Sequence, residues 1–315
     1  MYDVRNATSA DLGAVIALVA RLQQEPAHQI GFHGETEDEV AEELAALRPG
    51  WVGNAVVAAD RNGRVRGVLS FEVEGRRAYL YGPFVDVPAN HPAAGHVWQA
   101  TADAMLRHAR KLPRLAGVRL LELFGHRQNR LLADFAARHA APVRMTSKCF
   151  TLTAAPLRSI LVRGPGQDDR TTLLPEDPAI RRAVADLHDR CFPDAPTSGE
   201  QLVTGDRHTV VVLIGGGRGD LLGYAAGYVQ AEEYYVDVVG VEENARSCGV
   251  GRTLVRRLLA ELAARGGVRD RAAAMIRDGN EASERMFTKL GFEPGAELVN
   301  YQVDLTAPTV HRRAV

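Results

Sequence analysis

The sequence is poor in cysteine and contains no long apolar run. Its three cysteines, Cys149, Cys191 and Cys248, are far apart and odd in number. They match no disulfide framework and no zinc-ligand spacing, and such a scarcity is typical of proteins of a reducing cytosol. The N-terminus carries no apolar signal segment, and no stretch is long enough to span a membrane. We therefore expect a cytoplasmic protein that does not bind a membrane.

The sequence also lacks an excess of either charge. Its 38 Lys and Arg residues nearly balance its 39 Asp and Glu residues, for a net charge of −1. Without a broad positive field, the protein is not expected to bind nucleic acid. Its 315 residues, of which 46% are hydrophobic, are enough for two globular domains that each bury a core.

What the sequence does contain is the same unit twice. Residues 67–85 and 223–241 both read as two-strand hairpins with polar turns, at an offset of 156 and with no gap. Downstream, Asn129 corresponds to Asn280 at an offset of 151, so five residues are lost in the connection from helix to strand. In each unit, hydrophobic periodicity predicts a strand, two helices, three strands, a long helix, a strand, a helix and a last strand.

A segment rich in turn-forming residues separates the two units. It runs from residue 154 to residue 169, and its turn-forming residues include Pro156, Gly164, Pro165 and Gly166. We therefore predict a first domain at residues 1–155, a linker at residues 156–168 and a second domain at residues 169–315.

The most informative motif is a glycine loop at residues 246–251, Arg-Ser-Cys-Gly-Val-Gly. It follows an apolar run at residues 236–241 and precedes a helical pattern at residues 253–265. A helix start presents unpaired N–H groups and the positive end of the helix dipole, and glycines let a phosphate approach them. No Gly-Lys pair is present for a nucleoside-triphosphate loop, and Leu254 stands where a dinucleotide motif needs its third glycine. The loop predicts a site for another phosphorylated cofactor.

The pattern Arg-x-x-Gly-x-Gly between a strand and a helix resembles the acyl-CoA pyrophosphate loop of the GCN5-related N-acetyltransferase (GNAT) family. Residues 280–292 resemble the family's Asn-x-x-Ala-x-x-x-Tyr-x-x-x-Gly-Phe signature, with Ser283 and Phe287 in the alanine and tyrosine positions. The resemblance covers the second unit well and the first only in element order. It implies an α/β fold of two tandem GNAT-like domains, each a mixed, mostly antiparallel sheet flanked by helices.

The same resemblance implies direct transfer of an acetyl group from acetyl-CoA to an amine, without a metal. Main-chain groups of the strand before the loop would bind the pantetheine arm, and the loop and helix start would bind the pyrophosphate. The expected cofactor-binding residues are Val239, Gly240, Val241, Arg246, Ser247, Cys248, Gly249, Val250, Gly251, Arg252, Asn280, Ser283 and Phe287.

Asp237 is the candidate catalytic base. It lies nine residues before Arg246 on the predicted central strand, where members of the family often carry a carboxylate. An acid in an apolar strand costs free energy unless it has a partner or faces a cleft. The alternative is an aspartate that merely faces solvent near the strand end. Glu232 and Glu233 are expected in the hairpin turn, with contact to a cationic substrate as the alternative.

Phe287 is the main departure from the family signature. The tyrosine of the family at this position often protonates the departing thiolate, and phenylalanine cannot. The acid is therefore missing, moved or replaced by water. Tyr235 and Tyr301 are the candidates, on strands expected to be neighbours. Cys248 at the helix start is a possible nucleophile, but the direct transfer implied by the resemblance disfavours a covalent cysteine route.

The corresponding loop of the first unit is degenerate. At the offset of 156, Asn90, Pro92 and Ala93 replace Arg246, Cys248 and Gly249. Proline has no N–H to donate, and alanine resists a positive φ. We expect the first unit to bind acyl-CoA poorly or not at all, and to cover a sheet edge or to form a wall of the substrate cleft.

A second, altered ligand site in the first unit is the rival interpretation. His91 and His96 lie in its loop, but this spacing without a third ligand is a weak indication of a metal, and ordinary surface histidines are favoured.

The expected function is acetyl-CoA-dependent N-acetylation of a primary amine on a small molecule. One alternative is an acyl-CoA-binding sensor or scaffold that has lost catalysis, which Phe287 and the degenerate loop favour. Another is a protein or peptide N-acetyltransferase. The intact loop and Asp237 favour the enzyme. The amine stays open among aminoglycosides, amino acids and polyamines, and the protein is expected to be a monomer or a homodimer.

Overall fold

The computed structural model of the protein describes residues 2–88, 91–162, 170–193, 195, 197–215, 220–230 and 232–306. It divides the chain into two compact units. The first unit is Met1–Ser147 together with Ala296–Val315, and the second is Lys148–Gly295. Among the described residues, no helix is both long and apolar enough to cross a membrane.

The first repeat of the chain forms six strands and four α-helices within the described residues. In chain order they are β1 (Asp3–Asn6), α1 (Leu12–Gln23), α2 (Glu37–Ala46), β2 (Ala55–Ala59), β3 (Val65–Glu74), β4 (Arg77–Val85), α3 (Ala94–Ala109), β5 (Leu120–His126), α4 (Arg130–Arg138) and β6 (Val143–Thr153).

The second repeat follows the same order after one additional helix, α5. Its elements are α5 (Ala154–Val162), β7 (Thr171–Leu173), α6 (Pro178–Cys191), α7 (Gly199–Thr204), β8 (Thr209–Ile214), β9 (Leu221–Val229), β10 (Glu233–Val241), α8 (Val250–Gly266), β11 (Arg271–Arg277), α9 (Glu281–Leu290) and β12 (Glu293–Asp304).

Each unit contains a mixed sheet. In the first unit the strand order is β1-β2-β3-β4-β5-β12, and in the second it is β6-β11-β10-β9-β8-β7. In the first unit β4 and β5 pair in parallel, whereas the pairs β1–β2, β2–β3, β3–β4 and β5–β12 are antiparallel. In the second unit β7 to β10 pair antiparallel, and β10 pairs with β11 in parallel. The predicted fold class is confirmed.

The register of the strands confirms the repeat. Residues 77–80 of β4 pair with residues 120–123 of β5, and residues 233–236 of β10 pair with residues 271–274 of β11. These two sets differ by 156 on the first strand and by 151 on the second. The five residues lost in the second repeat therefore lie between β4 and β5 in the first, as the sequence predicts.

The last strand of each repeat lies in the sheet of the other unit. Residues 298–304 of β12 pair antiparallel with β5 of the first unit, and β6 follows β11 in the second unit's strand order. The compact units therefore do not coincide with the expected division at residues 155 and 169. A strand pattern in the sequence predicts a strand but does not identify its partner, because pairing depends on residues far away in the chain.

Part of the expected linker at 156–168 is helical. Helix α5 begins at Ala154, and its Leu157 and Ile160 are buried in the apolar core of the second unit together with Phe150 and Leu152 of β6. This burial anchors α5 to the second unit. Residues 163–168 of the expected linker lie outside the described residues.

The second unit buries apolar side chains on both faces of its sheet. Val211 and Leu213 of β8 join the core beneath α8, whereas Val210 and Val212 join the core beneath α6. This alternation is the two-residue period of a strand covered on both faces. The sheet thereby forms the rigid middle layer on which the candidate site is built.

Five of the described α-helices begin with a side-chain cap, whereas α8, like α1 and α3, does not. Asp177 caps α6, Ser198 caps α7 through a capping box with Gln201, and Asn280 caps α9. Helix α8 begins at a glycine, Gly249, whose missing side chain cannot cap it. Because the first N–H groups of a helix have no acceptor inside it, those of α8 remain able to bind an external anion.

Candidate active site

Two strands of the second unit separate beside the candidate site. The parallel pairing of β10 with β11 ends at Val236 and Ala274, although both strands continue, to Val241 and Arg277. Residues 238–241 stay paired with β9 on the other side. Because alternate main-chain groups of a strand point to opposite edges, part of this segment points into the gap between β10 and β11. Val239, Gly240 and Val241 lie on this segment, and their binding of a cofactor stays a prediction.

A β-bulge places Asp237 at the start of this separation. The register of β10 with β9 shifts between Val236 and Val238, which leaves Asp237 as an extra residue on β10. A bulge bends a strand and redirects its side chain. The side chain of Asp237 is 34% exposed, although Val236 beside it is buried in the core. Asp237 therefore faces solvent at the point where the strands part.

A histidine that the sequence analysis did not single out contacts Asp237. His208 lies in the connection from α7 to β8, and its Nε2 is 2.8 Å from Asp237 Oδ2. The imidazole is almost completely buried, with 5% of its side chain exposed. Its ring packs edge-on against Tyr228 at 5.4 Å. The two partners are 29 positions apart in the sequence, which explains why no local pattern reveals the pair.

Tyr235 lies close to this pair. It is the cross-strand partner of Tyr228, and the two rings are 5.3 Å apart. Burial raises the pKa of Tyr235 well above the usual range of a tyrosine. Its hydroxyl is protonated at neutral pH, as that of an ordinary tyrosine is, and the raised pKa makes it a weaker acid. Glu233, four residues before Asp237 on β10, forms an ion pair with Arg271 at 2.7 Å.

Tyr301 is not on a strand next to β10, and that expectation is wrong. It lies on β12, opposite Leu123 of β5, and packs against the apolar core of the first unit. The cause is the exchange of last strands, which assigns β12 to the first unit.

The glycine loop has the backbone conformation of an anion site. Gly249 has a φ of +85° and Ser247 a φ of +63°, both in the left-handed region. A left-handed serine is strained, and alternation of left- and right-handed residues makes successive N–H groups converge. A Cβ at Gly251 would lie 2.5 Å from the sulfur of Met286, so this glycine is also required for the packing of α9 on α8.

The remaining predicted loop residues surround this turn. Arg246 is exposed, and its Nε donates to the carbonyl of Val241 at 3.3 Å, which ties the loop to the end of β10. Cys248 is exposed. Val250 is buried and Arg252 is exposed in the first turn of α8. The structure thus brings the predicted loop residues together at the N-terminus of one helix.

The second predicted signature forms the start of α9. The side chain of Asn280 accepts a hydrogen bond from the N–H of Ser283 at 3.2 Å, as Asn129 does from Leu132 in the first unit at 2.9 Å. Phe287 is 4% exposed, and its ring packs perpendicular to Phe292 at 4.9 Å. The first role of Phe287 in this structure is to pack the core, and its contact with a cofactor stays a prediction.

In the first unit, the loop before α3 has a different conformation. Ala93 has a φ of −121°, in contrast to the left-handed Gly249. Its N–H donates to the imidazole Nδ1 of His91 at 3.1 Å, and the N–H of Ala94 donates to the His91 carbonyl at 3.1 Å. Two N–H groups that an anion would need are therefore already bonded. Asn90 lies outside the described residues.

The first unit also fills its own strand separation. Strand β12 occupies one edge of β5, and residues 29–31 bond to the other edge, from which β4 has departed. The N–H of Gly31 donates to Phe124 O at 2.5 Å, and the N–H of His126 donates to Gln29 O at 3.0 Å. We name residues 29–32 the plug segment.

Side chains hold the plug segment in place. Phe32 packs within 5.3 to 5.7 Å of Tyr81, Phe124 and Tyr79, and so contacts both separated strands. Gln23, which is 2% exposed, accepts from the N–H of Ile30 at 2.6 Å and donates to its carbonyl at 3.0 Å. No local pattern in the sequence indicates the plug segment, because its contacts with β5 bridge about 95 residues of chain.

Most of the second unit is similar to a known protein family. Residues 181–292 match the model of the acetyltransferase (GNAT) family. This region is a GNAT domain. The match covers α6 to α9 together with the divergent strands and the glycine loop, so the family and the fold are those of an acyltransferase. No curated protein sequence matches the chain significantly.

Solved structures extend the similarity to both units. A GCN5-related N-acetyltransferase from Sphaerobacter thermophilus is 15% identical, with a TM-score of 0.67, over 96% of this chain and 95% of its own. A tandem GNAT protein from the clavulanic acid biosynthesis pathway, solved without acetyl-CoA, is 17% identical, with a TM-score of 0.64, over 97% of this chain and all of its own. At these identities the likeness establishes the shared fold, a tandem of two GNAT-like domains.

The two units differ at the loop and at the strand separation. In the second, an uncapped helix start, a left-handed glycine and a strand separation lie together. In the first, the loop N–H groups and the strand separation are both used by the chain itself. In the described part of the chain, no cluster of three or more His, Cys, Asp or Glu side chains is arranged to hold a metal. His91 and His96 are therefore not part of such a cluster.

Proposed function

We propose that the protein is an acetyl-CoA-dependent N-acetyltransferase that acts on a primary amine of a small molecule, with one acetyl-CoA site, in the second unit. The observation that carries the proposal is the position of Asp237. It is the first residue of β10 beyond the last pair with β11, and it is followed along the strand by the predicted pantetheine-binding residues.

The chain's own groups would bind the cofactor as follows. Main-chain groups of Val239 and Val241 would bind the pantetheine arm in the gap between β10 and β11. The N–H groups at the start of α8, with the left-handed Gly249, would bind the pyrophosphate. Arg246 is exposed at the loop and would add a positive charge. Acetyl-CoA supplies the activated thioester whose acetyl group passes to the amine.

Catalysis requires a neutral amine and a proton acceptor beside it. Asp237 is partly exposed, and among the described residues its Oδ2 is hydrogen-bonded to His208. Its Oδ1 can therefore accept the proton of the incoming amine. A main-chain N–H of β10 would stabilise the oxyanion. Protonation of the thiolate falls to water or to the Tyr235 hydroxyl, because Phe287 has no proton to give.

A non-catalytic acyl-CoA sensor is the second candidate, and Phe287 favours it. The buried phenylalanine replaces the family's tyrosine with a residue that only packs the core. The two candidates share acetyl-CoA binding and differ in turnover. A panel of amines screened for release of the CoA thiol separates them: binding without release for any amine supports the sensor.

Replacement of Asp237 by asparagine tests the proposed base. We expect Asp237→Asn to lower kcat about 10²-fold, since the proton acceptor is lost, and to leave the Kd for acetyl-CoA unchanged. Glu232→Gln, an exposed acid five residues earlier, is the matched control and should change neither. If Asp237→Asn weakens acetyl-CoA binding and leaves turnover per bound enzyme unchanged, Asp237 has a structural role only.

A further inference from the structure

His208 and Asp237 form a pair whose two members have opposite environments. The Asp237 side chain is one-third exposed in a bulge, whereas the His208 imidazole is almost completely buried. A carboxylate on a bulge can rotate about its side-chain bonds unless a neighbour holds it. A buried imidazole whose Nε2 lies 2.8 Å from one oxygen is such a neighbour.

Aromatic packing restricts the orientation of the His208 ring. It packs edge-on against Tyr228, with ring centroids 5.4 Å apart. Tyr228 is in turn covered on one side by the guanidinium of Arg207 at 4.7 Å and contacts Tyr235 at 5.3 Å. Aromatic contacts of this kind hold a ring in one orientation. The imidazole therefore packs directly against Tyr228, and Arg207 and Tyr235 support it only through their contacts with Tyr228.

The hydrogen bond leaves the two oxygens of Asp237 in different roles. An ionised carboxylate only accepts hydrogen bonds. The Nε2–H group of His208 is therefore the donor of the hydrogen bond to Oδ2 of Asp237. Oδ1 is then the oxygen that remains for a ligand on the exposed side. An imidazole that orients a catalytic partner without contacting the substrate acts by fixing geometry, and small displacements of a reacting group have large effects on rate.

We propose that His208 is the positioning residue of this site: its Nε2–H holds Asp237 Oδ2 so that Oδ1 receives the proton of the amine. This inference rests on the proposed function. The proton moves from the amine nitrogen to Oδ1 while the nitrogen forms its bond to the acetyl carbon. The C–S bond of the thioester then breaks, and the CoA thiolate leaves and takes a proton from water or from the Tyr235 hydroxyl. His208 keeps its own proton throughout. His208 therefore affects the rate only through Asp237.

The equivalent position in the first unit supports this assignment. Asp237 corresponds there to Tyr81, whose hydroxyl donates to Glu72 at 3.1 Å instead of receiving a histidine bond. The unit whose loop and strand separation do not fit a cofactor thus also lacks the carboxylate. The histidine, the bulged carboxylate and the cofactor features occur together in one unit only, among the residues that the structure describes.

A set of three substitutions tests the role of the hydrogen bond. His208→Leu removes the donor, His208→Asn keeps an amide too short to reach Oδ2, and His208→Gln places an amide N–H close to the position of Nε2. We expect His208→Leu and His208→Asn to lower kcat about tenfold or more, and His208→Gln to recover most of the rate. The KM and Kd for acetyl-CoA should stay unchanged in all three.

A double-mutant cycle separates positioning from a general effect on folding. In the Asp237→Asn background, His208→Leu should cause no further loss of kcat, because the group that it positions is already absent. Additive losses, or a lower melting temperature that accounts for the loss of rate, would overturn the inference while leaving the proposed function intact.

A measurement without turnover keeps the two proposals distinguishable. In protein with 15N-labelled histidine, we expect a slowly exchanging Nε2–H signal of His208 that is lost in Asp237→Ala. If the wild-type protein acetylates no amine, the proposed function fails, and this signal still decides whether His208 holds Asp237. A signal that is missing in the wild type, or that persists in Asp237→Ala, overturns the inference by itself.

Discussion

The two units share a sheet topology and differ where their parallel strands separate. In the first unit the plug segment, residues 29–32, bonds to the edge of β5 that β4 leaves. In the second unit the corresponding separation, between β10 and β11, lies beside Asp237 and the loop of Gly249. The backbone features common to both, including the registers and the asparagine caps, are those that stabilise the fold. A few local differences decide which unit fits a ligand.

The largest expected difference between the two units is in acetyl-CoA binding by the loops that precede α8 and α3. Gly249→Glu places a side chain on a left-handed residue and an acidic group where phosphates would bind. We expect the Kd for acetyl-CoA to rise about 100-fold, equivalent to about 2.7 kcal/mol. The matched variant Ala93→Glu in the first unit should change nothing, since Ala93 already has a negative φ and its N–H is bonded to His91.

Calorimetric titration measures both variants, with thermal melting as the control for folding. Wild-type protein should bind one acetyl-CoA per chain. Two equivalent sites, or equal losses of affinity in Gly249→Glu and Ala93→Glu, would show that the two loops are functionally alike and would break the comparison.

A substitution in the plug segment should change the stability of the protein by an intermediate amount. A Cβ at Gly31 would overlap the ring of Phe124, so Gly31→Ala should lower the free energy of unfolding by about 1–3 kcal/mol through overpacking. Gly13→Ala is the control: it lies in α1, and an added Cβ would meet no atom within 4 Å, so the same change should stabilise by up to about 1 kcal/mol.

Urea denaturation compares the two stabilities, and titration gives the number of acetyl-CoA sites. We expect Gly31→Ala to keep one site per chain, because the loop with Pro92 and Ala93 stays unsuited to phosphate. A second site in this variant would mean that the plug segment alone distinguishes the units. An unchanged stability would mean that residues 29–32 do not pack against β5.

The smallest effect concerns the ends of two equivalent helices. Ala140 after α4 has a φ of +53°, and its counterpart Gly291 after α9 has a φ of +96°. Glycine adopts this region without strain and alanine does not. Ala140→Gly should therefore stabilise the protein by about 1 kcal/mol or less, since glycine also gains entropy when unfolded. Gly291→Ala should destabilise it by about 1–2 kcal/mol.

Thermal or urea unfolding of both single variants checks this pair. A Cβ at Gly291 would also approach Pro156 Cβ to 3.2 Å, which adds to the expected loss. Changes of the same sign at both positions would show that the two helix ends are not equivalent.

The order of the elements was predictable from the sequence because its signals are local. Both repeats contain the predicted series of strands and helices, in the predicted order. Periodicity, caps such as Asn280, and terminal glycines lie within a few residues of the bounds that they determine. Helix α5 was missed because it is short and lies in a stretch rich in turn-forming residues.

The candidate site was predictable in part for the same reason. The residues of the glycine loop lie within six positions, and their pattern between a strand and a helix indicates an anion site by itself. The prediction of Asp237 as a base rested on its place in the strand. Its partner His208, the bulge that exposes it and the true location of Tyr301 depend on contacts between residues that lie far apart in the chain.

The sequence by itself determined the duplicated unit, the order of its strands and helices, the glycine loop and the loss of that loop in the first repeat. Only the tertiary structure decided which sheet receives each last strand, how a bulge turns Asp237 toward His208, and that the plug segment fills one of the two strand separations. The physical reason is the range of the interactions. Helix and turn formation follow from neighbouring residues, whereas strand pairing and side-chain contacts are selected by packing among segments that meet only when the chain folds.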